Sequence, residues 1–283
     1  MAYLTSDFET LAKTFDLETS GTKASATMIF QLLLLKHGRR NAFAWYDHEN
    51  CFGGDDWLNC EIQSTIHNGN SIRLEELKEV AESFGFSLIR ERKRLKMEFN
   101  HEMIKKEVSV DDTIIQNLED EMDSGGTATI WILKKELVPN IAAFTGANIP
   151  RGVLLEYPYC CISNFVNQKT QLLVDCMKEF YLSFPTNTLN RDPTDQDLKA
   201  YCFENYHNEN VLDYEMRKKA FEKLAEDSRK IFPFISHHAC KNCIDDPQSS
   251  PSAKLNKTYA DFAGQINDNL FNFFNENGIM TNL

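Results

Sequence analysis

Met28-Ile29-Phe30-Gln31-Leu32-Leu33-Leu34-Leu35 is the longest apolar run of the chain, and its reading sets the fold class. Together with its flanks, from Thr22 to His37, it reads as one helix, with Gly38 as the stop signal. Ile29, Phe30 and Leu32–Leu35 cover most of the helix circumference, so the helix is expected at the centre of a core rather than on its surface. The run is far too short to span a bilayer, and Gln31 interrupts it.

Outward from this helix the pattern is mixed. Upstream, Ser6-Asp7-Phe8-Glu9 has the form of a capping box, and Phe8, Leu11, Ala12 and Phe15 follow at helical spacing. Downstream, residues 41–70 lose periodicity apart from a strand at 42–46, and a helix over 73–84 ends at Gly85. Residues 86–89 and 95–99 read as a hairpin around Arg92-Lys93-Arg94, and 127–133 as a buried strand, with Val153-Leu154-Leu155 as another. Helices are expected over 111–122, 161–182, 212–231 and a final stretch in which Leu255, Tyr259, Phe262, Ile266, Leu270 and Phe273 form one stripe. Thr194-Asp195-Gln196-Asp197 caps a further helix.

These elements predict an α+β fold, mainly helical. A small sheet belongs to an N-terminal portion (1–184), and a helical, metal-stapled C-terminal portion (185–283) follows the break at Pro185–Pro193. Hydrophobic residues make up 42% of the 283, enough for a real core. The net charge of −12 disfavours phosphate backbones and anionic membrane surfaces, so the expectation is no membrane and a protein partner. The first residues lack the basic and apolar regions of a signal peptide, which points to a cytoplasmic protein. In that compartment the eight cysteines are expected as thiols or metal ligands rather than disulfides.

The densest set of metal-ligating residues is His237-His238-Ala239-Cys240-Lys241-Asn242-Cys243. A C-x2-C loop grips one ion from two sides, which fits structural zinc. His237 or His238 offers a third ligand, and Cys202 and His207 are the nearest candidates for the fourth, with Cys160 and Cys161 next. Asp245-Asp246-Pro247 after the second thiol argues against a thioredoxin-type helix, Ile244 against haem attachment, and the lack of an upstream H-x-E against a zinc deaminase.

Two other stretches carry possible chemistry. Asp47, His48, Asp55, Asp56 and Glu61 surround Gly53-Gly54 and can hold a second divalent cation, as in a metal-dependent hydrolase of the nuclease or phosphodiesterase type. Gly53-Gly54-Asp55-Asp56 resembles the palm-hairpin tip of some nucleotide polymerases and cyclases, but the flanks are not strand-like. Cys51 or Cys60, activated by His48, His67 or His101, gives a thiol-hydrolase alternative. Arg90 to Lys106 concentrates positive charge and offers a nucleic-acid contact in a layout that resembles a winged helix. Glu75, Glu76, Glu79 and Glu82 on the preceding helix oppose that use. The leading expectation is a zinc-stabilised regulatory or protein-interaction protein.

Overall fold

The computed structural model describes residues 2–15, 17, 23–47, 61–63, 71–92, 96–122, 128–187, 191–206 and 214–279. Among them the fold is mainly helical with a small antiparallel sheet near the N-terminus, as the sequence pattern predicts.

Helix α1 (Ala2–Thr14) packs on α2 (Lys23–Lys36). Ser6–Glu9 lies inside α1 rather than capping it, because the helix begins at Ala2; Leu11, Ala12 and Phe15 are buried as expected. In α2 every apolar residue from Met28 to Leu35 is buried, and so are Ser25, Thr27 and Gln31. The helix is enclosed on all sides. It ends in a Schellman motif: Gly38 (φ 66°) donates to the Leu35 carbonyl at 3.0 Å, and Arg39 to that of Leu34 at 2.8 Å.

Strand β1 (Ala42–Asp47) follows, then the short pair β2 (Glu61–Gln63) and β3 (Ser71–Arg73), and helix α3 (Leu74–Ser83). Strand β4 (Phe86–Arg92) leads to α4 (His101–Glu107) and α5 (Asp112–Glu121), and then to β5 (Ala128–Lys134). The main sheet has the order β1-β5-β4, all antiparallel. The expected hairpin between 86–89 and 95–99 is therefore not formed. Strand β4 pairs along its whole length with β5, and Lys96 makes only an isolated bridge to Ala147. An apolar, β-branched partner outcompetes the charged segment after Arg92, since it can bury both faces.

The sheet is covered on both sides. Ile130 and Ile132 of β5, with Phe43 and Leu88 from its neighbours, face the core around α2. Trp131 and Leu133 face the opposite way with Ala42 and Ala44, and Ala44 stands directly across from Trp131, leaving room for the indole. A 3₁₀ turn (Lys135–Asn140), α6 (Ile141–Thr145) and α7 (Asn148–Leu154) close that second face. The expected strand at 153–155 is instead the end of α7. It closes in another Schellman turn, with Tyr157 donating to the Gly152 carbonyl at 3.0 Å and Glu156 at φ 58°. The carboxylate of this left-handed Glu156 accepts from the Asn41 amide nitrogen (3.2 Å) and side chain (2.6 Å), which offsets the strain.

Helix α8 (Tyr159–Asn187) has 29 residues and continues past Pro185, where an end was expected near Leu182. At 1.5 Å per residue it reaches about 43 Å, long enough to join two cores. Its first turn enters the core around α2, and its middle joins a second core with α4, α5 and α9 (Asp195–Asn205). Helix α9 begins at the predicted capping box, in which Thr194 and Asp197 cap each other's backbone N–H groups.

Helices α10 (Tyr214–Ile231), α11 (Lys241–Asp245), α12 (Pro251–Ile266) and α13 (Asp268–Asn277) complete the chain. The expected single last helix is two, because Asn267 leaves helical geometry and caps α13 through its side chain. Phe30 of α2 meets Tyr259, Phe262 and Phe274 at ring-centroid distances of 6.4, 6.2 and 5.2 Å. The main core thus draws on residues from both sides of 185. Among the described residues no helix is long and apolar enough to cross a membrane.

Candidate metal centre

Four thiols converge where α8, α11 and α12 begin. The Sγ atoms of Cys160, Cys161, Cys240 and Cys243 all lie within 4.8 Å of one another. Cys160 stands 3.6 Å from Cys243 and 3.9 Å from Cys161, and Cys161 stands 3.8 Å from Cys243. Ligands about 2.3 Å from one tetrahedral zinc ion stand about 3.8 Å apart, so this spacing fits a single ion. An iron–sulfur cluster places irons and sulfides between its thiolates and needs them much wider apart.

Local sequence explains how each thiol arrives. The tight turn at Leu155–Tyr157 delivers Pro158, whose fixed φ suits a helix start and whose carbonyl accepts from Cys161 (2.8 Å) and Ile162 (3.1 Å). Cys160 and Cys161 therefore occupy the first turn of α8, where the helix dipole favours thiolates. Cys240 is the N-cap of α11 and Cys243 lies one turn on, so the C-x2-C spacing places both sulfurs on one side. That helix is a single turn and stops before Pro247, in keeping with the argument against a thioredoxin-type site. Ser250 caps α12 and also donates to the Cys243 carbonyl at 3.2 Å, fixing α12 to the metal loop. From the other side, Ala239 donates to buried Ser228 of α10 at 2.8 Å.

The surroundings act differently on the individual thiols. Burial, with the neighbouring thiols, pushes Cys160 up to about 11, and burial pushes Cys161 up as well. Against the upward push of its own burial, hydrogen bonds from Ser252, Cys160 and Cys240 bring Cys243 down to about 7. A thiophilic cation bound here would have to displace the remaining protons, so its affinity would rise with pH.

Cys202, expected as a ligand, sits instead in the second core beside Cys176; this thiol and burial push its pKa up and keep it protonated. His207 lies outside the described residues. Neither His237 nor His238 belongs to the four-atom group. His237 is buried, its Nε2 stands 3.1 Å from Ser252 Oγ, and its ring lies 4.8 Å from that of Tyr157. Cys160 and Cys161, rather than the histidines or Cys202, are the residues the fold brings beside Cys240 and Cys243. A doublet of adjacent cysteines has no standard ligand spacing, and only the turn at Pro158 turns it toward the C-x2-C loop.

The other candidate residues are less informative. His48, Cys51, Asp55, Asp56, Cys60 and His67 lie outside the described residues; Asp47 ends β1 and Glu61 begins β2. His101 is paired with Glu119 at 3.1 Å and Asp112 at 3.3 Å between α4 and α5. Within the basic stretch, Lys96 pairs with Asp120 at 2.9 Å, and Lys105 with Asp112.

The buried histidine pair makes stability depend on pH. Burial, then Arg40, lowers His237 to about 3; burial, then Arg229, lowers His238 to about 4, from an ordinary 6.5. The unfolded chain takes up these protons below 6.5 and the folded protein does not, so the contribution of the pair is full above that pH and is lost as pH drops toward 4. Each histidine can contribute up to about 1.4 kcal/mol per pH unit across this window. Urea midpoints measured from pH 7.5 to 5 are expected to fall less steeply in His237→Gln than in the wild type. Parallel curves would show that His237 takes no part.

Comparison with protein-family models, with curated proteins and with solved structures gives no match. The chemistry of the centre is carried by its own geometry.

Proposed function

We propose that this is a zinc-stabilised protein of the regulatory or interaction type, in which one ion bound by Cys160, Cys161, Cys240 and Cys243 ties the start of α8 to α11 and α12. The observation that carries this reading is the set of four sulfurs within 4.8 Å. Four thiolates fill a tetrahedral ion and leave no open position for water or substrate, which supports a structural rather than a hydrolytic role. The six described cysteines are all unbridged, consistent with a reducing compartment.

Elemental analysis of the purified protein tests the metal. About one zinc per chain is expected. Cys160→Ser/Cys161→Ser and Cys240→Ser/Cys243→Ser should each abolish it, while Cys202→Ser retains it. Zinc lost with Cys202→Ser, or retained in both double variants, would overturn the ligand set. Iron in place of zinc would identify a mononuclear iron centre and overturn the zinc assignment.

A further inference from the structure

The four thiols are not equivalent. Cys161 is buried and sits under two donors: the Cys240 amide N–H at 3.4 Å from its sulfur, and the Ser252 hydroxyl, also at 3.4 Å. Ser252 is fully buried near the start of α12, and His237 Nε2 lies 3.1 Å behind it. The orientation of this chain is constrained. Neutral His237 carries one N–H, and its Nδ1 is buried without a hydrogen-bond partner among the described residues. A buried unpaired N–H is costly, so the proton belongs on Nε2, where it donates to Ser252 and frees the hydroxyl proton for the thiols it faces, Cys161 and, next to it, Cys243. Cys160 differs in both respects. It is half-exposed, and among the described residues its sulfur meets only the other thiols.

We propose that the chain His237–Ser252–Cys161 makes the centre asymmetric, locking Cys161 as the permanent ligand and leaving Cys160 as the labile one, through which zinc is exchanged and electrophiles attack. This rests on the zinc reading above. A hydrogen bond to a thiolate withdraws charge from sulfur and lowers its nucleophilicity, and the hydroxyl also fixes its direction. Cys160, with no such donor and with access to solvent, keeps the higher nucleophilicity of the two. Ser252 and His237 act through Cys161 and are positioning residues.

Limiting N-ethylmaleimide on the zinc-loaded protein separates the thiols. The thiolate adds across the maleimide double bond and water supplies the proton. Peptide mass spectrometry reports the order of modification, and a chromogenic chelator reports zinc release. Cys160 adducts are expected first, appearing in step with zinc release, and Cys161 adducts last. Ser252→Ala removes one buried oxygen. It should speed zinc release about tenfold or more and bring Cys161 modification forward. In the cobalt-substituted protein it should shift the thiolate-to-metal charge-transfer band to longer wavelength, a change that loosened packing alone does not produce. His237→Gln keeps an N–H donor in place of Nε2–H and should stay near the wild type. Cys161 modified as early as Cys160, or Ser252→Ala with unchanged rate and cobalt spectrum, would overturn the asymmetry alone. A protein that takes up no zinc would overturn the asymmetry together with the metal assignment.

Discussion

Cys240→Ser/Cys243→Ser should lower the thermal midpoint by about 10 °C or more, with the zinc content falling to zero. An ion held at about a thousandfold above its dissociation constant adds about 4 kcal/mol to the folded state, since the unfolded chain has no assembled site. For a chain of this size that corresponds to about 10 °C. The local structure has little to replace it. Helix α11 has five residues, too few to persist alone, and Cys243 also anchors α12 through the Ser250 bond to its carbonyl. Circular dichroism melts of wild type and double variant, matched for zinc, measure the difference. A midpoint shared by the two would show that the ion contributes nothing to the fold.

Phe30→Ala should cost a similar amount without touching the metal ligands. Phe30 is fully buried in α2 and its ring packs against Tyr259, Phe262 and Phe274, joining the first third of the chain to the last helices. Truncation loses the transfer energy of the ring and leaves a cavity among rings that cannot close in, at about 3–5 kcal/mol. Phe30→Leu keeps most of the volume and should cost markedly less. Urea unfolding followed by fluorescence gives both values. Zinc content should stay at the wild-type level in each, so a loss of zinc in Phe30→Leu would show that α2 and the metal centre are not separable.

The helical part of the fold was legible because it rests on local periodicity. The α2 run, the cap at Thr194 and the stop signals at Gly38 and Gly85 all mark helix boundaries in short stretches of sequence. Strand pairing was not legible. Whether β4 pairs with the segment after Arg92 or with β5, some forty residues downstream, depends on which partner buries more surface, and short windows do not contain that comparison. The metal centre was half legible. Cys240 and Cys243 announce themselves by spacing, but their partners lie eighty residues upstream in an adjacent pair. Sequence proximity favoured Cys202 and the histidines. The folded chain instead brings beside the C-x2-C loop the two cysteines that follow the left-handed turn at Glu156. His237 still contributes, from behind Ser252 rather than on the ion.

The enclosure of α2 also has a consequence for synthesis. Its walls include Phe232, Phe234, Tyr259, Phe262 and Phe274, all made long after the helix itself. While the chain is still on the ribosome, a run of four leucines and a phenylalanine is without its native cover. The nascent protein must either shield that surface with non-native contacts or be held by a chaperone until the last helices emerge. Substitutions in α12 or α13 are therefore expected to reduce yield in the cell more than the stability of the purified protein indicates.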